Sequence, residues 1–216
     1  MRNTTKTLTA LAAVLLLIPF TDAMAQRRRG LIDVSPDSDR HGFWLNLGLA
    51  AGGENFRYSN VPGGWQRPDG DLVKPSFAIA LGGTVNPQLR LGGEINAWVW
   101  DHNDNATGFR VTDYLVGGLL VGQVYPVRTL GLFVKGGVGI SRSGEELEGG
   151  SGIGETGFAY LYGAGYEIKL SRSLFLTPTV AMMQHVSSNP DDPLNQGSLH
   201  ERVWTIGVGL TIQPGR

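Results

Sequence analysis

One short stretch gathers side chains that could do chemistry: His185-Val186-Ser187, followed by Asn195, Gly197 and Glu201. An imidazole, a hydroxyl and a carboxylate are the groups from which an activated nucleophile is built, provided the fold holds them within hydrogen-bond reach. Elsewhere such chemistry is sparse. The sequence has no GxxxxGK[ST] phosphate loop, no HExxH and no acidic calcium loop. It also lacks cysteine, which excludes disulfides, thiolate metal sites, cysteine nucleophiles and a lipoprotein anchor. No cofactor and no metal are expected. A second set consists of isolated charges, Arg90, Glu94, Lys135 and Glu167, each within a run of apolar and small residues.

The elements that carry these residues are read from a period of two. From Gly42 onward, eight runs alternate apolar with small or polar residues: 42–51, 74–85, 89–100, 111–125, 130–141, 157–170, 174–185 and 201–212. They are long for soluble strands but suit tilted strands crossing a bilayer, which need about 9–11 residues. The connections alternate long and short, as in an up-and-down barrel whose short turns face the periplasm and whose long loops face outward. Asn86-Pro87, Pro126 and Ser171-Arg172-Ser173 supply the strand-stopping chemistry of the short turns. In the long connections carboxylates outnumber arginines, eleven to four. The outer rim is therefore expected to be acidic.

The two faces of each run separate a membrane barrel from a soluble one. In 89–100, Leu89, Leu91, Ile95, Ala97 and Val99 oppose Arg90, Gly92, Glu94, Asn96 and Trp98. In 201–212, Trp204, Ile206, Val208, Leu210 and Ile212 oppose Val203, Thr205, Gly207, Gly209 and Thr211. A soluble barrel would show water a face rich in Lys and Glu. Here the less greasy face is small and sparsely charged, which suits a cramped lumen. Strand parity then turns Arg90, Glu94, Lys135 and Glu167 inward. An isolated buried charge is costly, so they are expected to form an ion-pair network that plugs the barrel. The same parity puts His185 in the lumen with Thr177 and Thr179. Aromatics near strand ends, including Phe43, Trp44, Trp98, Trp100, Tyr125 and Trp204, suit membrane interfaces or packing inside the barrel.

The N-terminus has basic Arg2 and Lys6, an apolar stretch over 8–20 and Ala23-Met24-Ala25, the small-x-small pattern of a cleavage site. Residues 1–25 are expected to be a cleaved signal peptide, since the stretch falls short of the ~20 residues of a spanning helix. Residues 26–41 form a polar periplasmic segment, 42–212 the barrel and 213–216 a short tail. The whole chain of 216 residues has a formal net charge of −1 and 32 glycines. Near-neutrality implies no nucleic-acid partner, and the glycines fit tight strand curvature.

Over 42–212, down to the ending Trp204-Thr-Ile-Gly-Val-Gly-Leu-Thr-Ile212, the chain resembles the small eight-stranded outer-membrane barrels of the outer-membrane protein A and X type. It departs from them in ending Gln213-Pro214-Gly215-Arg216, where such barrels finish on an aromatic residue read by the insertion machinery. The resemblance implies a bacterial outer-membrane location, and as partners outer-membrane lipids, lipopolysaccharide and the barrel-assembly machinery. A monomer is expected. The family includes structural anchors, adhesins, narrow pores and a few lipid-modifying enzymes.

The His185/Ser187 cluster in turn resembles the His-x-Ser arrangement before the final strand of the lipid A deacylase family. That resemblance implies a lipid-facing triad of His185, Ser187 and a carboxylate, with Asn195 assisting at the oxyanion. The pattern departs at Ser188, where that family has Asn, and at Leu199, where the carboxylate would stand; Glu201 lies beyond it. The favoured reading is a non-enzymatic structural or surface-interaction barrel with a narrow, plugged lumen, because eight strands enclose just enough room for side chains. In it His185 is a rim histidine that hydrogen-bonds Glu201 across the final hairpin. A porin-like passive pore and a deacylase-like hydrolase are the alternatives.

Overall fold

The computed structural model describes residues 40–67, 73–103, 108–147, 152–188 and 197–213. The expected signal peptide, the segment 26–39, Asn195 and residues 214–216 lie outside them. The described chain is an all-β, eight-stranded antiparallel transmembrane barrel. Its strands are β1 (Phe43–Tyr58), β2 (Lys74–Asn86), β3 (Leu89–Asn103), β4 (Arg110–Val124), β5 (Leu132–Leu147), β6 (Ile153–Tyr166), β7 (Ile168–Lys169), β8 (Leu174–Ser188) and β9 (Ser198–Ile212). The short β7 continues β6 past Glu167, and both pair with β8. Nine segments therefore make eight staves, with β1 against β9 and β6 against β8 closing the ring.

Among the described residues every stave has a neighbour on both sides, so the backbone polar groups of the wall meet partner strands except at the short break beside Glu167, as a bilayer demands. The alternation read from sequence is the alternation of burial. Leu91, Ile95, Leu120, Ile140 and Ile206 are exposed on the outer wall, whereas Arg90, Glu94, Leu119, Ser141 and Val203 are buried inside. Aromatics divide between the two sides. Phe43, Phe158, Tyr162 and Trp204 are exposed, while Trp44, Trp98, Trp100 and Tyr125 fill the lumen.

Strands extend further at the long-loop end than the alternation suggested. β1 runs on to Tyr58, β3 to Asn103 and β5 to Leu147. Glu54, Asp101, Glu145 and Glu155, four of the carboxylates that the alternation assigns to the long connections, therefore stand on strands. The reason is physical: above the membrane both faces of a strand meet water, so hydrophobic alternation stops while backbone pairing continues.

Glycine matters most where walls approach. Gly82 and Gly92 are cross-strand partners on the lumen face. A Cβ on Gly82 would lie 2.1 Å from the Leu91 carbonyl oxygen, and one on Gly92 would lie 2.2 Å from that of Leu81. The tight wall of β2 and β3 requires both.

Candidate functional site

The interior begins at the short-turn end with a floor built around Glu167, which sits in the break between β6 and β7. The Glu167 amide donates to the Gly131 carbonyl at 2.9 Å, holding the break against the start of β5. Its Oε1 accepts from Arg90 Nη1 and, at 2.9 Å, from the Tyr125 hydroxyl; its Oε2 accepts from Arg40 Nε at 3.2 Å. All four side chains are buried. Arg40 also donates to the carbonyls of Arg128 at 3.1 Å and Leu130 at 2.8 Å, and its guanidinium lies 3.8 Å from the Tyr125 ring centre. Arg90 Nη2 reaches Gln213 Oε1 at 2.5 Å, and Gln213 Nε2 donates to the His41 carbonyl at 2.6 Å. Both ends of the barrel chain are thus tied into the floor. Tyr125 lies beyond β4; burial first, then the Glu167 carboxylate, push its ionisation up, so it remains a donor.

Further along β3 stands a second pair. Lys135 Nζ donates to Glu94 Oε1 at 2.7 Å, and Asn96 Nδ2 donates to the same oxygen at 2.9 Å. The four charges singled out from sequence therefore fall into two pairs, Arg90 with Glu167 and Lys135 with Glu94. These sit about four residues, or ~13 Å of strand, apart along β3.

Apolar side chains occupy the middle. Trp98, Leu115, Leu119, Leu161, Met183 and Val203 belong to one buried cluster. Met183 on β8 reaches so far across that its Sδ would meet a Cβ on Gly117 of β4 at 2.9 Å.

Beyond this cluster lies the His185 group. His185 Nδ1 is 2.7 Å from the Ser141 hydroxyl on β5, with the ring passing over Gly157 of the intervening β6. His185 and Glu201 are cross-strand partners, yet the expected hydrogen bond between them is replaced by the one to Ser141. The cause is parity. Both side chains project into the lumen, where the ring can lie over a residue without a Cβ instead of turning along the wall. The Ser187 hydroxyl donates to Glu155 Oε2 at 2.5 Å. His185 and Ser187 are both buried on the lumen side, so the lipid-facing arrangement that the deacylase resemblance implied is not formed by them.

The residues that sequence reasoning missed are Arg40, Tyr125 and Gln213 in the floor, and Ser141 and Glu155 near the outer end. Arg40 and Gln213 lie just outside the alternating runs, where parity gives no direction. Tyr125 carried a signal, an aromatic beside a turn, that fits an interface ring equally well.

A family model described as "Outer membrane protein beta-barrel domain" matches residues 10–211. No curated protein matches significantly. Among solved structures, the attachment invasion locus protein Ail of Yersinia pestis, in complex with the heparin analogue sucrose octasulfate, is similar. It has 11% identity and a TM-score of 0.50 over 80% of this chain and 99% of its own. Neisserial surface protein A is similar at 14% identity and a TM-score of 0.50, over 80% of this chain and 97% of its own. At such identities these likenesses concern the fold alone.

Proposed function

Because the chain belongs to the outer membrane protein β-barrel domain family, we propose that it acts as a structural and surface-interaction barrel whose lumen is closed to solutes. The observation that carries this reading is the stacked filling of the interior: a charged floor, the Lys135–Glu94 pair and a belt of large apolar side chains. A pore needs a continuous wet path lined by polar groups, whereas here the middle of the barrel holds Leu119, Leu161 and Met183. An enzyme acting on membrane lipid needs its nucleophile on the outer wall, and Ser187 is turned inward. Lipid and lipopolysaccharide surround the barrel in this reading, and the assembly machinery inserts it as a monomer.

The test is conductance. Purified protein reconstituted into planar bilayers should give no steady ohmic channel above the bare-membrane leak, although swelling of lipid vesicles by small sugars is a second readout. Stable single-channel steps from the native chain would overturn the closed-lumen reading. Export belongs to the same proposal, with residues 1–25 removed after Ala25. The intact mass of protein extracted from outer membranes should begin at Gln26, and retention of Met1 would refute that.

A further inference from the structure

The outer wall at the long-loop end carries a compact basic cluster that the lumen does not use. Parity along β9 puts Trp204, Arg202 and His200 on the lipid-facing side, opposite the buried Val203 and Glu201. Arg57 of β1 is the cross-strand partner of His200, and Asn55 that of Arg202. Past β1 the chain folds back, with the Phe56 and Gln66 amides exchanging hydrogen bonds of 3.0 and 2.8 Å. This return places the Trp65 ring 4.8 Å from the Arg57 guanidinium and 4.0 Å from that of Arg202. A cation over a ring face leaves its N–H edge free to meet an anion.

Three observations point to an anionic lipid headgroup as the occupant. Among the described residues no carboxylate forms an ion pair with Arg57 or Arg202, whereas Arg110 on the same rim is neutralised by Asp101. Arg202 Nε and His200 Nδ1 are buried and have no hydrogen-bond partner. Below the cluster the wall becomes greasy and aromatic at once, with Trp204 edge-on to Tyr162 at 6.2 Å and Ile206 71% exposed. Acyl chains against that wall would bring a headgroup level with Arg202, about 7 Å of strand above Trp204. Stacking of two arginines on a tryptophan could serve packing alone, but that would not leave charge uncompensated at the height of the headgroups.

We infer that Arg57, Arg202 and His200, held by Trp65, form a docking site for the phosphate of a phosphorylated glycolipid of the outer leaflet. The inference rests on the outer-membrane placement of the barrel and is independent of whether the lumen conducts.

The experiment uses the full mature barrel, refolded in zwitterionic detergent and titrated with bisphosphorylated lipid A, with the bound lipid counted by native mass spectrometry. Dephosphorylated lipid A and inorganic phosphate are the comparison probes. Bisphosphorylated lipid A should bind about tenfold more tightly than the dephosphorylated form, and R57Q and R202Q should each remove about tenfold, as loss of a charge-assisted contact does. Trp65→Ala should weaken binding as well, and excess inorganic phosphate should not displace the lipid. Equal binding of the two lipids, unchanged binding by R57Q with R202Q, or displacement by inorganic phosphate would overturn the proposal. Heat-dependent gel mobility reports folding of every variant, and Arg57→Gln, at an exposed side chain, provides the comparison if the double variant does not fold. Failure of the native barrel to insert into membranes would defeat the placement itself, while a folded, inserted barrel without phosphate preference defeats only the site.

Discussion

At Glu167 a single carboxylate accepts hydrogen bonds from Arg40, Arg90 and Tyr125 in a place closed to water. Two guanidiniums share its charge, so removing that charge leaves both without compensation. Breaking a buried pair from one side costs about 3–5 kcal/mol, more than the pair adds over an apolar replacement. Glu167→Gln keeps the shape and is expected to lower stability by about that amount, read as an earlier midpoint in urea unfolding followed by gel mobility. A midpoint within error of the native one would show that the floor is not held by this charge. In the sequence, parity directs Arg90, Glu94, Lys135 and Glu167 inward, because a period of two leaves only two choices. It could not say which would pair, since partners across a lumen depend on stagger and barrel size. Arg40 escaped altogether: in the string QRRRGLIDVSPDSDR it is one more arginine of a polar segment, and only its position before the first strand separates it.

Strands were legible where lipid imposes alternation and faded where it does not. The run read as 89–100 lies within β3, and 130–141 covers β5 from its first residue Leu132; their ladders continue to Asn103 and Leu147. The long connections shorten accordingly, because 52–58, 142–147, 153–156, 186–188 and 198–200 are paired backbone. Arg142 faces Val116 on one side and Thr156 on the other, and Arg57 faces His200. A protease must draw an extended stretch of chain into its cleft, which the two-sided ladder prevents at Arg142, and which the β9 ladder with the neighbouring Phe56–Gln66 bridge prevents at Arg57. Trypsin is therefore expected to leave the bonds after Arg57 and Arg142 intact in the folded barrel, as read by peptide mass mapping, and to cut both once the protein is unfolded. Early cleavage after Arg142 would show that β5 and β6 are not paired at the outer end. The break at Glu167 was invisible in sequence, where 157–170 reads as one run, because a strand can shed two pairings without losing its parity.

Across the whole molecule, the glycines and the large side chains are one device. A barrel of eight strands has an interior that side chains just fill; Gly117 and Gly157 clear the space that Met183 and His185 then occupy, while Gly82 and Gly92 let the backbones of β2 and β3 approach. Composition announced this as an excess of glycine, but which wall was thin and which large side chain filled it needed the register. The filling is in series along the axis. Following β3 upward, Arg90 belongs to the floor, Glu94 to the Lys135 pair, and Trp98 to the apolar belt. Resistances in series are set by the largest, so opening one layer leaves the path blocked by the others. Removing the charge of Glu94 in the middle should then do little by itself, contrary to the simple expectation for a lumen plugged by one ion-pair network. Glu94→Gln alone and Leu119→Ala with Leu161→Ala alone are each expected to keep the native bilayer conductance. The combination of these changes with Arg40→Gly should give measurable channels, since each layer then loses bulk or its fixing charge. Conductance rising fully in Glu94→Gln alone would show that the charged pair is the sole barrier and that the apolar belt already passes water and ions.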